Sequence, residues 1–285
     1  MARRTIVTAR QERLGAELRK LRERVGVTAR EAAQVIGFDQ AKMSHLEAGR
    51  VAAGEERLRR LAAHYGVLDA GLVDALVAMD AERLRGWWEK YRGLVVTASL
   101  DLAALEWHAK SLQSLQTMHV PGLLQTEAYM RALFRYLSSD FAPSDLEAVI
   151  EFRARRQGVL DRECPPPFTA IVHEAALRVL VGGRKVAREQ LDVLLERSEC
   201  PHVTVRVVPF SADGFAGMGY SMLYASSPVQ QLDTVQVDHV HGSVFLDAEE
   251  QLGHYRDRWS TVELSALGPG ETRDFIRRIA RDLEE

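Results

Sequence analysis

The chain has 285 residues, of which 46% are hydrophobic, so it is long enough for a small module and a larger domain with its own core. No apolar run approaches the ~18 residues of a membrane-spanning helix, and no apolar core follows the basic start. We therefore expect neither a membrane protein nor a secreted one. Two isolated cysteines without Cys-x-x-Cys spacing predict ordinary thiols in a reducing cytoplasm.

The net charge of −3 conceals an asymmetry along the chain. Residues 1–66 hold 14 basic and 8 acidic side chains, whereas the remaining residues hold 23 basic and 32 acidic ones. A basic head before an acidic body is typical of a nucleic-acid module fused to a second domain. The acidic body would be repelled by phosphate, so we expect it to stay off DNA.

A basic arm at residues 1–9 precedes five predicted helices in residues 10–82. Apolar residues at helical spacing predict the first, fourth and fifth helices at about 10–25, 54–65 and 69–82. Arg3 and Arg4 in the arm either enter a minor groove or form a solvated tail, and the sequence leaves both open.

Capping residues define the second and third helices. Thr28 followed by Glu31 is a capping box that starts the second helix, and Gly37 closes it. Asp39 caps the third helix, which ends before Gly49. Two short helices joined by a glycine-containing turn are the helix-turn-helix geometry, whose second helix enters the major groove of DNA.

Residues 10–80 resemble the XRE family of regulators, which have the five-helix fold of phage repressors. The stretch SHLEAG at residues 44–49 is the most specific part of the resemblance. It implies that residues 39–48 read double-stranded DNA and that Lys42 and Arg50 contact the backbone. The outward face of this helix holds Gln40, Ala41, Lys42, Ser44 and His45. Of these, the resemblance places Gln40, Ala41 and His45 at the base-facing positions.

The same resemblance separates scaffold from DNA contact. Arg22 and Glu47 match a pair that forms a structural salt bridge in relatives. Ala29 stands where relatives commonly carry a phosphate-clamping glutamine, and Arg30 next to it would take over that contact. One module makes few base contacts, so we expect a homodimer on a palindromic operator.

Residues 83–99 are interpreted as a connector to a regulatory domain at residues 100–285. For the adjacent Trp87 and Trp88 we favour packing against that domain over stacking on nucleic-acid bases. Its predicted helices lie at about 100–116, 124–137, 143–161, 175–181, 187–196, 248–265 and 271–284. Its predicted strands lie at 168–173, 203–208, 221–225, 234–240 and 244–246. The fold class is thus mostly α with a smaller mixed α/β part, a five-helix bundle before a larger α+β domain.

No motif of the second domain indicates catalysis, so we expect no enzyme, metal or cofactor. His239 and His241 have the spacing of a metal pair, but without further ligands nearby they are better interpreted as surface or strand histidines. His173-Glu174 lies at a strand-to-helix turn, where a capping role is favoured over acid–base chemistry. The glycines at residues 214–219 lack the lysine and threonine of a phosphate loop and favour a flexible hairpin.

The segment HVPGLLQTEAY at residues 119–129 resembles the hallmark of a large domain that follows helix-turn-helix heads in actinobacterial regulators, and further matches extend the resemblance over about residues 85–280. Those regulators resemble developmental and antibiotic-production controllers, often paired with a small partner protein in a manner compared with toxin–antitoxin modules. The resemblance implies dimerisation and binding of a small-molecule effector or a small acidic partner protein.

Two alternatives to an effector-controlled regulator stay open. One is an antitoxin-like protein whose DNA binding is only autoregulatory. The other, less favoured, is a DNA-tethered enzyme that uses His173, Glu174, His239 or His241. In each case we expect the protein at the nucleoid.

Overall fold

Helices dominate the chain, and the strands gather in its second half. The computed structural model describes residues 7–82, 86–137, 143–213, 220–239 and 241–283. None of the helices in these ranges is long and apolar enough to cross a membrane. The arginines of the arm, the glycines at 214–219 and Val240 lie outside the described residues.

Five helices form an N-terminal bundle, as predicted. They are α1 (Ala9–Arg24), α2 (Ala29–Ile36), α3 (Gln40–Glu47), α4 (Glu55–His64) and α5 (Ala70–Ala81). Leucines at helical spacing on α1 and α4 pack against Met43 and Leu46 of α3 in one apolar core. Leu232, which comes from the second half of the chain, is also buried in this core.

The second half of the chain is an α+β unit. Its helices are α6 (Thr97–His108), α7 (Glu127–Leu137), α8 (Pro143–Gln157), α9 (Glu174–Arg178), α10 (Arg184–Arg197), α11 (Glu249–Ser265) and α12 (Pro269–Asp282). Its strands are β1 (Ser111–Gln116), β2 (Phe168–His173), β3 (Val203–Val208), β4 (Met222–Ser226), β5 (Thr234–His239) and β6 (Gly242–Leu246).

The six strands form one mixed sheet in the order β3-β2-β1-β4-β5-β6. β1, β2 and β3 run parallel, whereas β4 is antiparallel to β1, and β5 and β6 continue the antiparallel half. Apolar side chains of α10 and α12 cover one face. Trp259 and Val262 of α11 cover the other, so the central strands are buried on both sides, whereas the edge strand β6 is partly exposed.

The prediction of one helix over residues 100–116 is wrong. α6 ends at His108, and β1 follows in the centre of the sheet. Leu112 and Leu115 are three residues apart, a spacing that also occurs on one face of a helix. In a strand the same spacing places them on opposite faces, and both are fully buried in different apolar clusters.

The connector packs against the second unit, as the sequence predicted. A 3₁₀ turn at Trp87–Tyr91 carries Trp88, which is buried beside Leu100 of α6 and Phe152 of α8. The rings of Trp88 and Trp107 lie 6.4 Å apart in an edge-to-face arrangement. Aromatic pairs of this kind add about 0.5–1.5 kcal/mol beyond their area burial, which helps to hold the described part of the connector, residues 86–99, against the second unit.

Candidate DNA-binding surface

Caps at both helices define the turn between α2 and α3. The Thr28 hydroxyl accepts from the Glu31 amide (3.2 Å), and the Glu31 carboxylate accepts from the Thr28 amide (2.8 Å). Gly37 ends α2 in the left-handed region at φ 69°. The Asp39 carboxylate then accepts from the Lys42 amide at 2.6 Å and starts α3. Because each cap satisfies amides that a helix start leaves unpaired, the sequence fixes both helix boundaries locally.

Backbone contact with α1 fixes the position of α3. A Cβ added to Gly15 would lie 2.6 Å from the Glu47 carbonyl carbon and 2.8 Å from the Gly49 nitrogen. Gly49, at φ 70°, would place its own Cβ 2.6 Å from the Gln11 carbonyl carbon. Two glycines therefore let α1 and the end of α3 touch without side chains between them. The sequence marked Gly49 as a helix end and as the last residue of the SHLEAG stretch, but gave no signal for Gly15.

Arg22 and Glu47, which the resemblance pairs, form an ion pair between α1 and α3. Arg22 Nε lies 2.5 Å and Nη2 lies 3.0 Å from the two Glu47 carboxylate oxygens, and Nη1 donates to the Val27 carbonyl at 2.9 Å. Both side chains are at most 10% exposed. The hydrogen bonds to Glu47 raise the pKa of Arg22 above its ordinary value. The Glu47 carboxylate therefore has a structural role, which is to hold α3 against α1.

The opposite side of α3 faces solvent. Gln40, Ala41, Lys42, Ser44 and His45 are all exposed. Residues 40 and 44, and likewise 41 and 45, are one helical turn apart and share a face. The Ser44 hydroxyl donates to the Gln40 carbonyl at 3.0 Å. Residues 40–46 contain no acidic side chain, so this face presents an amide, an imidazole and an ammonium group.

Three further predicted contact residues flank α3. Arg50 is exposed directly after the helix, and Arg30 is exposed in the first turn of α2. Ala29 is half-buried and packs against the bundle core. Ala29 therefore offers only a small apolar surface. The exposed guanidinium of the neighbouring Arg30 is the group that suits a phosphate.

A second cation beside the turn was not found by sequence analysis. Lys42 Nζ lies 4.1 Å from the centre of the Phe38 ring, and the Arg57 guanidinium lies 5.2 Å from it on α4. Arg57 also donates to the carbonyls of Ile36 and Ala53, both at 3.2 Å. The sequence signals for this contact were an aromatic residue in the turn, Phe38, and an arginine in the first turn of α4, Arg57. Arg57 joins the turn to α4 beside Lys42.

The surface has the chemistry of a DNA reader. An amide such as that of Gln40 can bond adenine N6 and N7 together, and the His45 imidazole can bond a base edge or a phosphate. Lys42, Arg30 and Arg50 supply charges that suit phosphate oxygens, which position a protein without specifying sequence. Held by the Gly15 contact and the buried ion pair, α3 needs little ordering on binding.

Two of the other candidate residues, His173 and Glu174, have structural partners. His173 Nδ1 accepts from the Ala175 amide at 3.3 Å and caps α9, and burial lowers the pKa of His173. The Glu174 carboxylate bonds Arg178 Nε at 2.6 Å and the Phe210 amide at 2.8 Å. Capping, which the sequence favoured for Glu174, is done by His173. His239 and His241 are exposed, and the described residues hold no cluster of three or more metal-type ligands.

The segment at residues 119–126 closes a buried polar network. The Gln125 amide donates to the Val120 carbonyl at 2.7 Å, and Arg153 donates to Gln125 Oε1 at 3.0 Å. Arg156 Nε lies 3.2 Å from the Glu106 carboxylate, and both side chains are buried. Burial raises the pKa of Glu106 to about 7 and lowers that of Arg153 to about 9. In this structure the segment has a packing role.

Comparison with known families gives two matches along the chain. Residues 13–76 match the model of a helix-turn-helix domain. Residues 99–278 match the model of a domain of unknown function (DUF5753), which covers more than half of the chain. A search of the curated proteins gave no match, and a search of the solved structures gave none either.

Proposed function

The chain belongs to the family of the domain of unknown function DUF5753 and carries a helix-turn-helix domain before it, and on this basis we propose a transcriptional regulator that binds a specific operator. The observation that carries the proposal is the exposed face of α3. It presents Gln40, Lys42 and His45 to solvent on a helix whose other side is buried. This surface would enter the major groove.

The proposed regulator acts as a homodimer. A single module of this size buries about 600–1,000 Å² on DNA and contacts few bases, so one copy supplies limited specificity. Two copies related by a two-fold axis would read half-sites about one helical turn apart. The operator is then palindromic, and the second domain supplies the dimer contact and receives the effector.

The test uses duplexes enriched by the full chain from a random-sequence pool, with binding measured by fluorescence anisotropy at several salt concentrations. Enriched duplexes should share a palindromic sequence. Gln40→Ala should lose about 1–3 kcal/mol of discrimination at one base step. Lys42→Ala should weaken binding to all duplexes alike and lower the salt slope by about one.

The matched control is Lys185→Ala, since Lys185 is 89% exposed on α10 of the second unit. It should leave affinity and salt slope unchanged. A pool without enrichment contradicts sequence-specific binding. Identical behaviour of the Gln40 and Lys42 variants contradicts the division into base contact and phosphate contact.

The antitoxin-like alternative predicts that a second protein is purified together with the chain. It requires a small acidic protein that co-purifies in fixed stoichiometry with the chain from its native host. An effector-controlled regulator needs no such protein for operator binding. Operator affinity of the purified chain with and without the co-purified fraction therefore separates the two proposals.

A further inference from the structure

A cavity of about 710 Å³ lies between the N-terminal bundle and the α+β unit. Its walls come from α1 and α5 on one side, and from α6, the segment after β4 and the strands β5 and β6 on the other. Cavities of about 300–1,000 Å³ hold drug-sized ligands, which makes this space large enough for one.

Small side chains create the space. Ala16 of α1, Ala75 and Ala78 of α5 and Ala98 of α6 all line the cavity. Where the facing surfaces of helices carry only methyl groups, side chains do not fill the gap between their backbones. Phe245 and four other apolar side chains complete the apolar part of the lining: Met79, Leu105, Leu232 and Pro228. An apolar molecular body would therefore find contact on several sides.

The charges around the cavity largely neutralise one another. Arg10 Nη2 lies 2.8 Å from Glu82, and Arg13 forms an ion pair with Asp247. His108 Nδ1 lies 3.1 Å from the same Glu82 carboxylate. Burial lowers the pKa of His108 to about 4, so its ring is neutral at physiological pH. Neither a strongly anionic nor a strongly cationic ligand is favoured by this arrangement.

Polar groups that suit hydrogen bonds remain at the wall and rim. The Asp101 carboxylate, whose pKa burial raises, accepts from the Ala9 amide at 3.0 Å. Lys110 and Glu12 lie at the exposed rim with opposite charges. Ser243, whose hydroxyl donates to the Asp238 carboxylate, also lines the cavity. Polar groups placed beside an apolar wall are the usual means of orienting a ligand.

We propose that this cavity binds one neutral, amphipathic organic molecule, whose apolar body lies against the alanine walls and whose polar groups bond at Asp101 and the rim. The inference rests on the proposed function, because this molecule would be the effector of the DNA-binding regulator. Both units form the walls, so the bound molecule contacts the bundle that carries α3 and the second unit at once.

The probe is N-phenyl-1-naphthylamine, an uncharged dye whose fluorescence rises in apolar surroundings, titrated into the full chain without DNA. We expect a saturable rise with one dye per chain. Ala78→Phe and Ala98→Phe fill the cavity from opposite sides and should each weaken binding at least tenfold. Ala63→Phe, on the exposed surface of α4, is the matched control and should bind as the native chain does.

Ala78 is exposed, so Ala78→Phe is compatible with folding. This variant keeps the proposal testable if Ala98→Phe fails to fold. The absence of a saturable rise, or a rise that Ala78→Phe leaves unchanged, overturns the proposal. The anionic dye 8-anilinonaphthalene-1-sulfonate should bind at least tenfold more weakly at this site. Tighter binding of that anion, lost in the same variants, overturns the assignment of a neutral ligand.

The Lys42→Ala variant separates this proposal from the proposed function. It should bind the dye as the native chain does while it binds DNA more weakly. If operator binding fails and dye binding stands, the regulatory proposal falls and the cavity remains a ligand site. If dye binding fails and operator binding stands, only the cavity proposal falls.

Discussion

Gly15 lies where α1 presses against the end of α3, so an alanine there tests the contact that positions the DNA-binding helix. The added methyl group would lie against the Glu47 carbonyl and 2.8 Å from the Gly49 nitrogen. These are backbone atoms and cannot rotate away as a side chain would. The two helices must therefore separate, which also strains the ion pair between Arg22 and Glu47.

The expected magnitude follows from a matched pair of variants. Gly253 lies within α11, and its added methyl group would meet only the Arg256 guanidinium at 3.9 Å. Alanine in place of glycine in a helix interior stabilises by about 0.5–1 kcal/mol, and this gain is common to both positions. Overpacking at Gly15 costs about 1–3 kcal/mol in addition. Gly15→Ala should therefore be less stable than Gly253→Ala by about 1–3 kcal/mol.

Urea unfolding of the full chain, followed by far-ultraviolet circular dichroism, measures this difference. Operator affinity is the second readout and should fall for Gly15→Ala alone, because α3 is displaced. If Gly15→Ala gains as much stability as Gly253→Ala and keeps its operator affinity, α1 and α3 are not in backbone contact. The positioning of α3 argued above would then be wrong.

Two further predictions concern charged groups. Glu47→Gln leaves the buried Arg22 guanidinium with only the exposed Glu23 carboxylate, 3.5 Å from Nη2. It should lower the free energy of unfolding by about 3 kcal/mol, the low end for a broken buried pair, whereas replacing Arg22 and Glu47 together by methionine should recover much of that loss. An equal loss in both variants, measured by urea unfolding, contradicts this. Burial lowers the pKa of His108 from 6.5 to about 4, so its stabilising contribution is present above about pH 6.5 and is lost as the pH falls towards 4, by on the order of 2–3 kcal/mol. Urea unfolding across this pH range should show a smaller loss of unfolding free energy for His108→Gln than for the native chain. Equal losses in the two proteins would refute the role of His108.

The helix-turn-helix was predictable because its signals are local. Thr28, Glu31 and Asp39 act within three residues of themselves, and they form the caps that the sequence indicated. The contact of Gly15 with Glu47 joins residues far apart in sequence, and no local pattern reports it. Helix boundaries therefore came from the sequence, whereas the reason for the position of α3 required the structure.

The strand β1 shows the limit of periodicity in the second half. A central strand covered on both faces has apolar residues on both sides, so the alternation that marks a half-buried strand is absent. The spacing of Leu112 and Leu115 is then the same as that of two residues on one face of a helix. The cavity could not be predicted either, since its alanines are spread over α1, α5 and α6 and become neighbours only when the two units pack.

Leu232 has a consequence for the order in which the protein forms during synthesis. It is 5% exposed within the core of the N-terminal bundle, although about 150 residues separate it from the end of α5. Domains fold as they leave the ribosome, and the bundle emerges first. The newly made bundle therefore exposes the apolar position that Leu232 later fills. Its core is complete only after the segment that contains Leu232 has been synthesised. The DNA-binding unit reaches its final stability when nearly all of the chain has been translated.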